Sequence, residues 1–246
     1  HRKWSANEKT AMEAAIGMSY AGKRAIVCMK HVGLNVAADP FMNSAITGAN
    51  GGLIVLVADD PSMHSSQDEQ DSRYYARFAQ IPYVEPSNQQ EAYDLTHFAF
   101  ELSERLHKPV LMRVTTRLAH SRAGVVTRES RPQNEINLCG NPKQFILLPA
   151  NARRQYVELI EKNVEFIKSS ETSGNNKYID GTDKSMGIIA SGIAYNYLME
   201  NYPDRNCPYP VLKITQYPLP TAMIEKMADE CESILVAEEG YPLIEE

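Results

Sequence analysis

Strands that alternate with helical stretches predict an α/β fold, a parallel sheet with helices on both of its faces. Three observations carry the prediction. The run Leu53 to Ala58 in "GGLIVLVADD" is far too short to cross a bilayer and suits a strand buried on both sides. "SNQQEAYDLTHFAFELSERLH" is a long amphipathic helix, with a start signal in Pro86-Ser87 and Glu91 and a stop signal in Lys108-Pro109. "KPVLMRVTTR" then follows at once as a second apolar strand.

The remaining elements fall into the same rhythm. A helix from about Asn7 to Ala21, unusually rich in Ala and Gly, carries Glu8 in its first turn and leads to the strand "RAIVCMK". The polar "HVGLNVAADP" reads as a loop, "FMNSAITGA" as helix, "PSMHSSQDEQDS" as a loop and "RYYARFAQI" as helix. From about Ala119 to Ala150 the chain is polar, proline-bearing and aperiodic, which predicts a linker or an extended crossing segment. "ANARRQYVELIEKNVEFIKSS" is helical, and a loop rich in Gly, Asn and Asp spans Glu171 to Lys184. A second α/β series begins at "SMGIIASGIAYNYLMEN", where a strand ends at Gly192, and continues through "YPVLKITQYPLP", "TAMIEKMADECES" and "ILVAEEG". The expected organisation is one domain over 1–122, a linker and helical segment over 123–182 and a second domain over 183–246. The start at His1 and the stop at "VAEEGYPLIEE", with no closing element, suggest a partial chain.

Composition excludes several function classes. The net charge of -6 and the lack of a basic, aromatic-interleaved stretch argue against nucleic acid or an anionic membrane as partner. Four isolated cysteines, Cys28, Cys139, Cys207 and Cys231, form no CxxC pair, so no zinc or iron–sulfur site is expected within these residues. Such thiols suit a reducing, cytoplasmic compartment. No GxGxxG, GxxxxGK[ST] or GxSxG occurs, which removes the usual nucleotide and serine-hydrolase signals.

In an open parallel sheet ligands sit beyond the carboxyl ends of the strands. Here those ends are "KHVGLNVAADP", "DDPSMHSSQDEQDSR" and "TTRLAHSR", all rich in polar and titratable groups. His64, Asp68, Glu69 and Asp71 have the donor types of a metal site, against the plainer reading of a solvated acidic loop. Arg73 offers a fork of donors for a carboxylate, or an ion pair with Asp71 or Asp68. His31 is an acid–base candidate or a loop histidine without a role. Glu8 favours the helix dipole or serves as a proton handle.

The stretch from Trp4 to Ser87, with "KHVGLNVAADP" and "VADDPSMHSSQDEQDSRYYARFA" its most particular parts, resembles the pyrimidine-binding domain of the indolepyruvate:ferredoxin oxidoreductase alpha-subunit family. These are thiamine diphosphate-dependent 2-oxoacid oxidoreductases. The likeness continues through "LMRVTTRLAHSR", "GIIASGIAYNYL", "YPLP" and "VAEEGYP". It implies a thiamine diphosphate-binding fold followed by a transketolase C-terminal-like α/β domain. It implies too that Glu8 is the glutamate that hydrogen-bonds N1′ of the aminopyrimidine, and that His31, Gly33 and Asn35 line the cofactor. Arg73 falls where such enzymes hold the substrate carboxylate, with Ser65, Ser66 and Gln67 as loop contacts to substrate.

The implied reaction is oxidative decarboxylation of arylpyruvates, chiefly indolepyruvate, to aryl-acetyl-CoA, with coenzyme A and ferredoxin as co-substrates. Pyruvate or branched oxoacids, or a non-catalytic assembly role, are the alternatives. A beta subunit and an oligomer are implied as partners. "IDGTD" is the nearest approach to the family's GDG motif, and no cysteine-rich tail is present. The diphosphate, its Mg2+ and the [4Fe–4S] clusters are therefore expected only in the full-length assembly, and these residues alone are expected to be inactive.

Overall fold

The computed structural model describes residues 2–202 and 204–246. In chain order the elements are α1 (Glu8–Tyr20), β1 (Ala25–Lys30), α2 (His31–Val36), α3 (Ala38–Thr47), β2 (Leu53–Asp59), α4 (Ser72–Ala79), β3 (Tyr83–Val84), α5 (Gln89–Leu106), β4 (Val110–Thr115) and α6 (Thr116–His120). After a long crossing come α7 (Pro149–Thr172), β5 (Lys177–Ile179), β6 (Gly187–Ser191), α8 (Gly192–Glu200), β7 (Val211–Ile214), β8 (Gln216–Tyr217), α9 (Thr221–Glu230) and β9 (Ile234–Ala237). Two sheets result. The first has the order β1-β2-β4-β3-β8 and the second β5-β7-β6-β9, parallel except for the pairings of β8 with β3 and β5 with β7.

β2 lies inside the first sheet, as its apolar run requires, and Leu53, Ile54, Val55 and Val57 are fully buried. Each stabilises the fold by about 1.5–3 kcal/mol of transfer free energy. α5 places Leu95, Ala99, Leu102 and Leu106 on one buried stripe. Its N-cap is Asn88, which accepts the Glu91 amide at 2.9 Å, while Glu91 reaches back to the Ser87 amide at 2.9 Å.

Four local expectations change. "HVGLNVAADP" is helical rather than a loop: Leu34, Ala37 and Phe41 recur at helical spacing and are fully buried, a stripe that Gly33, Asn35 and Pro40 disguise. The Gly- and Asn-rich stretch contains the short strand β5. α6 continues directly from the end of β4. The second α/β series also lends β8 to the first sheet, where Tyr83 and Tyr217 stack at 4.3 Å, so that sheet takes its last strand from the stretch 183–246.

The crossing segment is a fastened strap. It runs along α5, with the Arg128 amide donating to Tyr93 Oη (2.8 Å) and Asn134 Nδ2 to Glu104 Oε1 (2.8 Å). It then crosses the end of α1, where the Asn137 amide bonds the Ala21 carbonyl (2.9 Å) and Phe145 stacks on Tyr20 at 3.7 Å. Gly22 makes this crossing possible. Its φ is +83°, and a Cβ there would stand 2.8 Å from the Asn137 oxygen.

α3 ends on an unusual cap. Buried Lys108 donates Nζ to the Ala45 carbonyl at 2.7 Å, and among the described residues no carboxylate lies within ion-pair distance of it. Burial, aided by repulsion from Lys162, pushes its amine down to about 8. An unfolded lysine titrates near 10.4, so between pH 8 and 10 the unfolded chain binds more protons and stability rises with pH. Urea unfolding of wild type against Lys108→Met is expected to show an excess slope in the wild type of about 1 kcal/mol per pH unit across that window. Parallel slopes would remove Lys108 as the source.

Candidate active site

α1, α2 and the loop after β2 meet at the carboxyl edge of the first sheet. Asn7 caps α1 by accepting the Thr10 amide at 2.9 Å, which sets Glu8 at the first helical position. The Glu8 side chain, half-buried, lies against Gly33 of α2. A Cβ on Gly33 would fall 2.6 Å from Glu8 Cγ and 3.0 Å from Oε1. Only a glycine leaves that side chain its place. Two residues that the sequence nominated separately are thus in contact, and Glu8 remains partly accessible.

His31 and Asn35 belong to the same short helix, with different surroundings. His31 is buried, and its nitrogens face the carbonyls of Ala58 (Nδ1, 3.4 Å) and Asp68 (Nε2, 3.2 Å). It ties the loop after β2 to α2, and both of its ring nitrogens are turned toward backbone carbonyls. Asn35 is exposed and accepts the Tyr75 hydroxyl.

That loop, residues 60–71, is organised by Asp60. The hydroxyls of Thr116 (2.6 Å) and Ser66 (2.7 Å) and the amides of Ser65 (2.7 Å) and His64 (3.2 Å) all donate to its carboxylate. Those bonds, Thr116's foremost, hold the Asp60 carboxyl well below the usual carboxylate range. Ser62 and Met63 sit at positive φ (65° and 53°), a costly conformation for residues with a side chain. Ser65 and Gln67 are exposed and Ser66 is half-buried, so the first two present free surface at the edge. The acidic residues beside them are committed: Glu69 accepts the Ser62 amide, and Asp71 caps α4. No group of three or more His, Cys, Asp or Glu placed to hold a metal ion occurs among the described residues.

Arg73 departs from expectation. It is fully buried, and its guanidinium is occupied by Asp71 (2.5 Å), Glu238 (2.7 Å) and the Tyr241 carbonyl (2.8 Å). With no exposed surface, the guanidinium is not presented to a substrate carboxylate. Its ion pair with Asp71 is interior, one part of a charge cluster that joins the first sheet to the segment after β9. Arg113 of β4, also fully buried, bonds Asp59 Oδ2 (2.6 Å), Glu85 and the Glu239 carbonyl (2.7 Å). Tyr217 donates to the other Glu85 oxygen at 3.0 Å. Burial raises Asp59 despite Arg113, and its Oδ1 has no partner, whereas Arg113 and Arg73 outweigh burial at Asp71 and keep its carboxyl low. The sequence did carry a signal for this cluster: an arginine inside the apolar strand "VLMRVT" needs acidic partners, and Asp59 closes the neighbouring strand.

A family model described as "Pyruvate flavodoxin/ferredoxin oxidoreductase, thiamine diP-bdg" matches residues 5–168. The chain belongs to this family. Relatives named indolepyruvate oxidoreductase subunit IorA share its whole length: the Archaeoglobus fulgidus protein is 43% identical over 249 residues and the Pyrococcus horikoshii protein 44% over 257. The chain spans 40% and 39% of those two relatives. Among solved structures, a Magnetococcus marinus 2-oxoglutarate:ferredoxin oxidoreductase, with 2-oxoglutarate, coenzyme A and succinyl-CoA bound, superposes with a TM-score of 0.72 at 14% identity, over 97% of this chain and 50% of that one. A split-gene transketolase, described as an inactive beta4 tetramer, gives 0.57 at 15% identity, over 95% of this chain and 63% of its own. At these identities the likeness is one of fold, consistent with both the first sheet and the second α/β series. Among the described residues no helix is long and apolar enough to cross a membrane.

Proposed function

We propose that this chain supplies the pyrimidine side of a thiamine diphosphate site in an indolepyruvate:ferredoxin oxidoreductase. The observation that carries the reading is the Glu8 carboxylate seated on Gly33, a cradle that a Cβ would fill. A flat ring with a basic nitrogen suits the carboxylate of a partly accessible glutamate held against a glycine backbone at a sheet edge. Glu8 would hold a proton at N1′, while Gly33 and the exposed Asn35 would line the ring. Ser65, Ser66 and Gln67, on the loop that Asp60 organises, would meet the 2-oxoacid. His31 serves here as the strut that joins that loop to α2. Thiamine diphosphate, when bound, supplies the electron sink for decarboxylation.

The diphosphate and Mg2+ are assigned to another part of the assembly, because "IDGTD" is the nearest approach to the GDG motif in this chain. A partner subunit, coenzyme A, ferredoxin and [4Fe–4S] clusters belong to the same reading. The free cysteines suit a cytoplasmic enzyme. Arylpyruvate as substrate is supported by the names of the relatives at 43% and 44% identity.

The test uses full-length protein with its partner subunit, in CoA-dependent reduction of ferredoxin or a viologen dye. Indolepyruvate, pyruvate and a branched oxoacid are compared by kcat/KM. Indolepyruvate is expected to lead by at least tenfold. A lead for pyruvate would reassign the substrate, and no turnover with any of the three would remove the enzyme reading.

A further inference from the structure

Tyr241, in the segment after β9, reaches from the second domain into the first. Its amide donates to Asp71 Oδ2 (3.2 Å), its carbonyl accepts from Arg73 (2.8 Å), and its hydroxyl donates to the Glu69 carbonyl (3.1 Å). Its ring stands edge-on to Tyr74 at 6.1 Å. The neighbouring carbonyl, that of Asp68, receives His31 from α2. The 60–71 loop is therefore tied at three places: Asp60 at its start, His31 and Tyr241 at its far end. Such ties matter here, because the left-handed Ser62 and Met63 persist only where their surroundings over-determine them.

We propose that Tyr241 is a positioning residue, through which the second domain fixes the loop that bears Ser65, Ser66 and Gln67. The assignment rests on the reading of those three as substrate contacts. The ring itself is half-exposed, so its hydroxyl is separable from core packing. Loss of one such hydrogen bond weakens a local structure by about 3–10-fold in its opening equilibrium.

The experiment is Tyr241→Phe in the full-length protein, with Tyr178→Phe as control. Tyr178 also spends its hydroxyl on one bond, to Glu230 (2.7 Å), away from the loop. In Tyr241→Phe, amide hydrogen exchange across residues 62–70 is expected to speed by about 3–10-fold, with β4 and α5 unchanged. KM for the 2-oxoacid is expected to rise by a similar factor, with kcat within about twofold, and Tyr178→Phe to match wild type in both. Unchanged exchange, or faster exchange with unchanged KM, overturns the proposal. So does an equal effect of Tyr178→Phe, which would mark general softening. Failure of the enzyme reading shows separately, as absence of turnover in the wild type.

Discussion

On the proposed function, replacing Glu8 by glutamine is expected to lower turnover of the full-length protein by about 10²–10⁴-fold, the usual contribution of a positioned proton-transfer group. Glutamine keeps the length that packs on Gly33, so the cradle stays filled. The competing role, a carboxylate in the first turn of α1, contributes about 0.3–1 kcal/mol through the helix dipole and nothing to catalysis. The two roles therefore separate by measurement. A proton role lowers kcat and leaves the melting temperature within a few degrees. A dipole role moves only the melting temperature. Steady-state kinetics beside a thermal melt decides the matter, and a variant as active as wild type would leave Glu8 a helix-capping charge.

The largest loss of stability is expected from Arg113→Met. Arg113 has no exposure, and it faces Asp59, Asp71 and Glu85, all buried. Methionine fills a similar volume but leaves those carboxylates with Arg73 as the cluster's remaining guanidinium. Removing one partner from a buried ionic group costs about 3–5 kcal/mol, because the other charges stay desolvated. The Lys9–Asp39 pair sets the scale for contrast. Its side chains are 45% and 69% exposed, and Lys9→Ala is expected to cost less than about 1 kcal/mol. Thermal or urea unfolding of the two variants side by side tests the difference. Equal, small losses would mean that the cluster relaxes or admits water instead of depending on Arg113.

Much of the fold was legible because it rests on local pattern. The apolar run of β2, the stripe and caps of α5, and the small-residue start of α1 each state their structure within a few residues. What was hidden depends on partners distant in sequence. The aperiodic polar strap has order only because α5 and the end of α1 receive it, from Arg128 through Asn137. β8 is two residues long, and its place in the first sheet follows from Tyr217 stacking on Tyr83, 134 positions earlier by residue number (217 − 83). The site divides in the same way. The place of Glu8 in the first turn of a helix was readable, whereas its contact with Gly33 exists only in three dimensions. Arg73 misled because an arginine beside acidic residues reads alike as a ligand fork or an ion pair. Burial, which decides between them, depends on Glu238 and Tyr241, 165 and 168 positions further along the chain.

The most direct test of the central claim is a binding measurement at the level of one atom. Full-length wild type and Glu8→Ala would each be titrated with thiamine diphosphate and with an analogue that carries carbon in place of N1′. If the Glu8 carboxylate meets N1′, the wild type is expected to favour the natural cofactor by about 10–150-fold, the range for a hydrogen bond to a charged group, and the variant to lose that preference. Equal discrimination by the two proteins would contradict the claim and place the partner of N1′ on another residue.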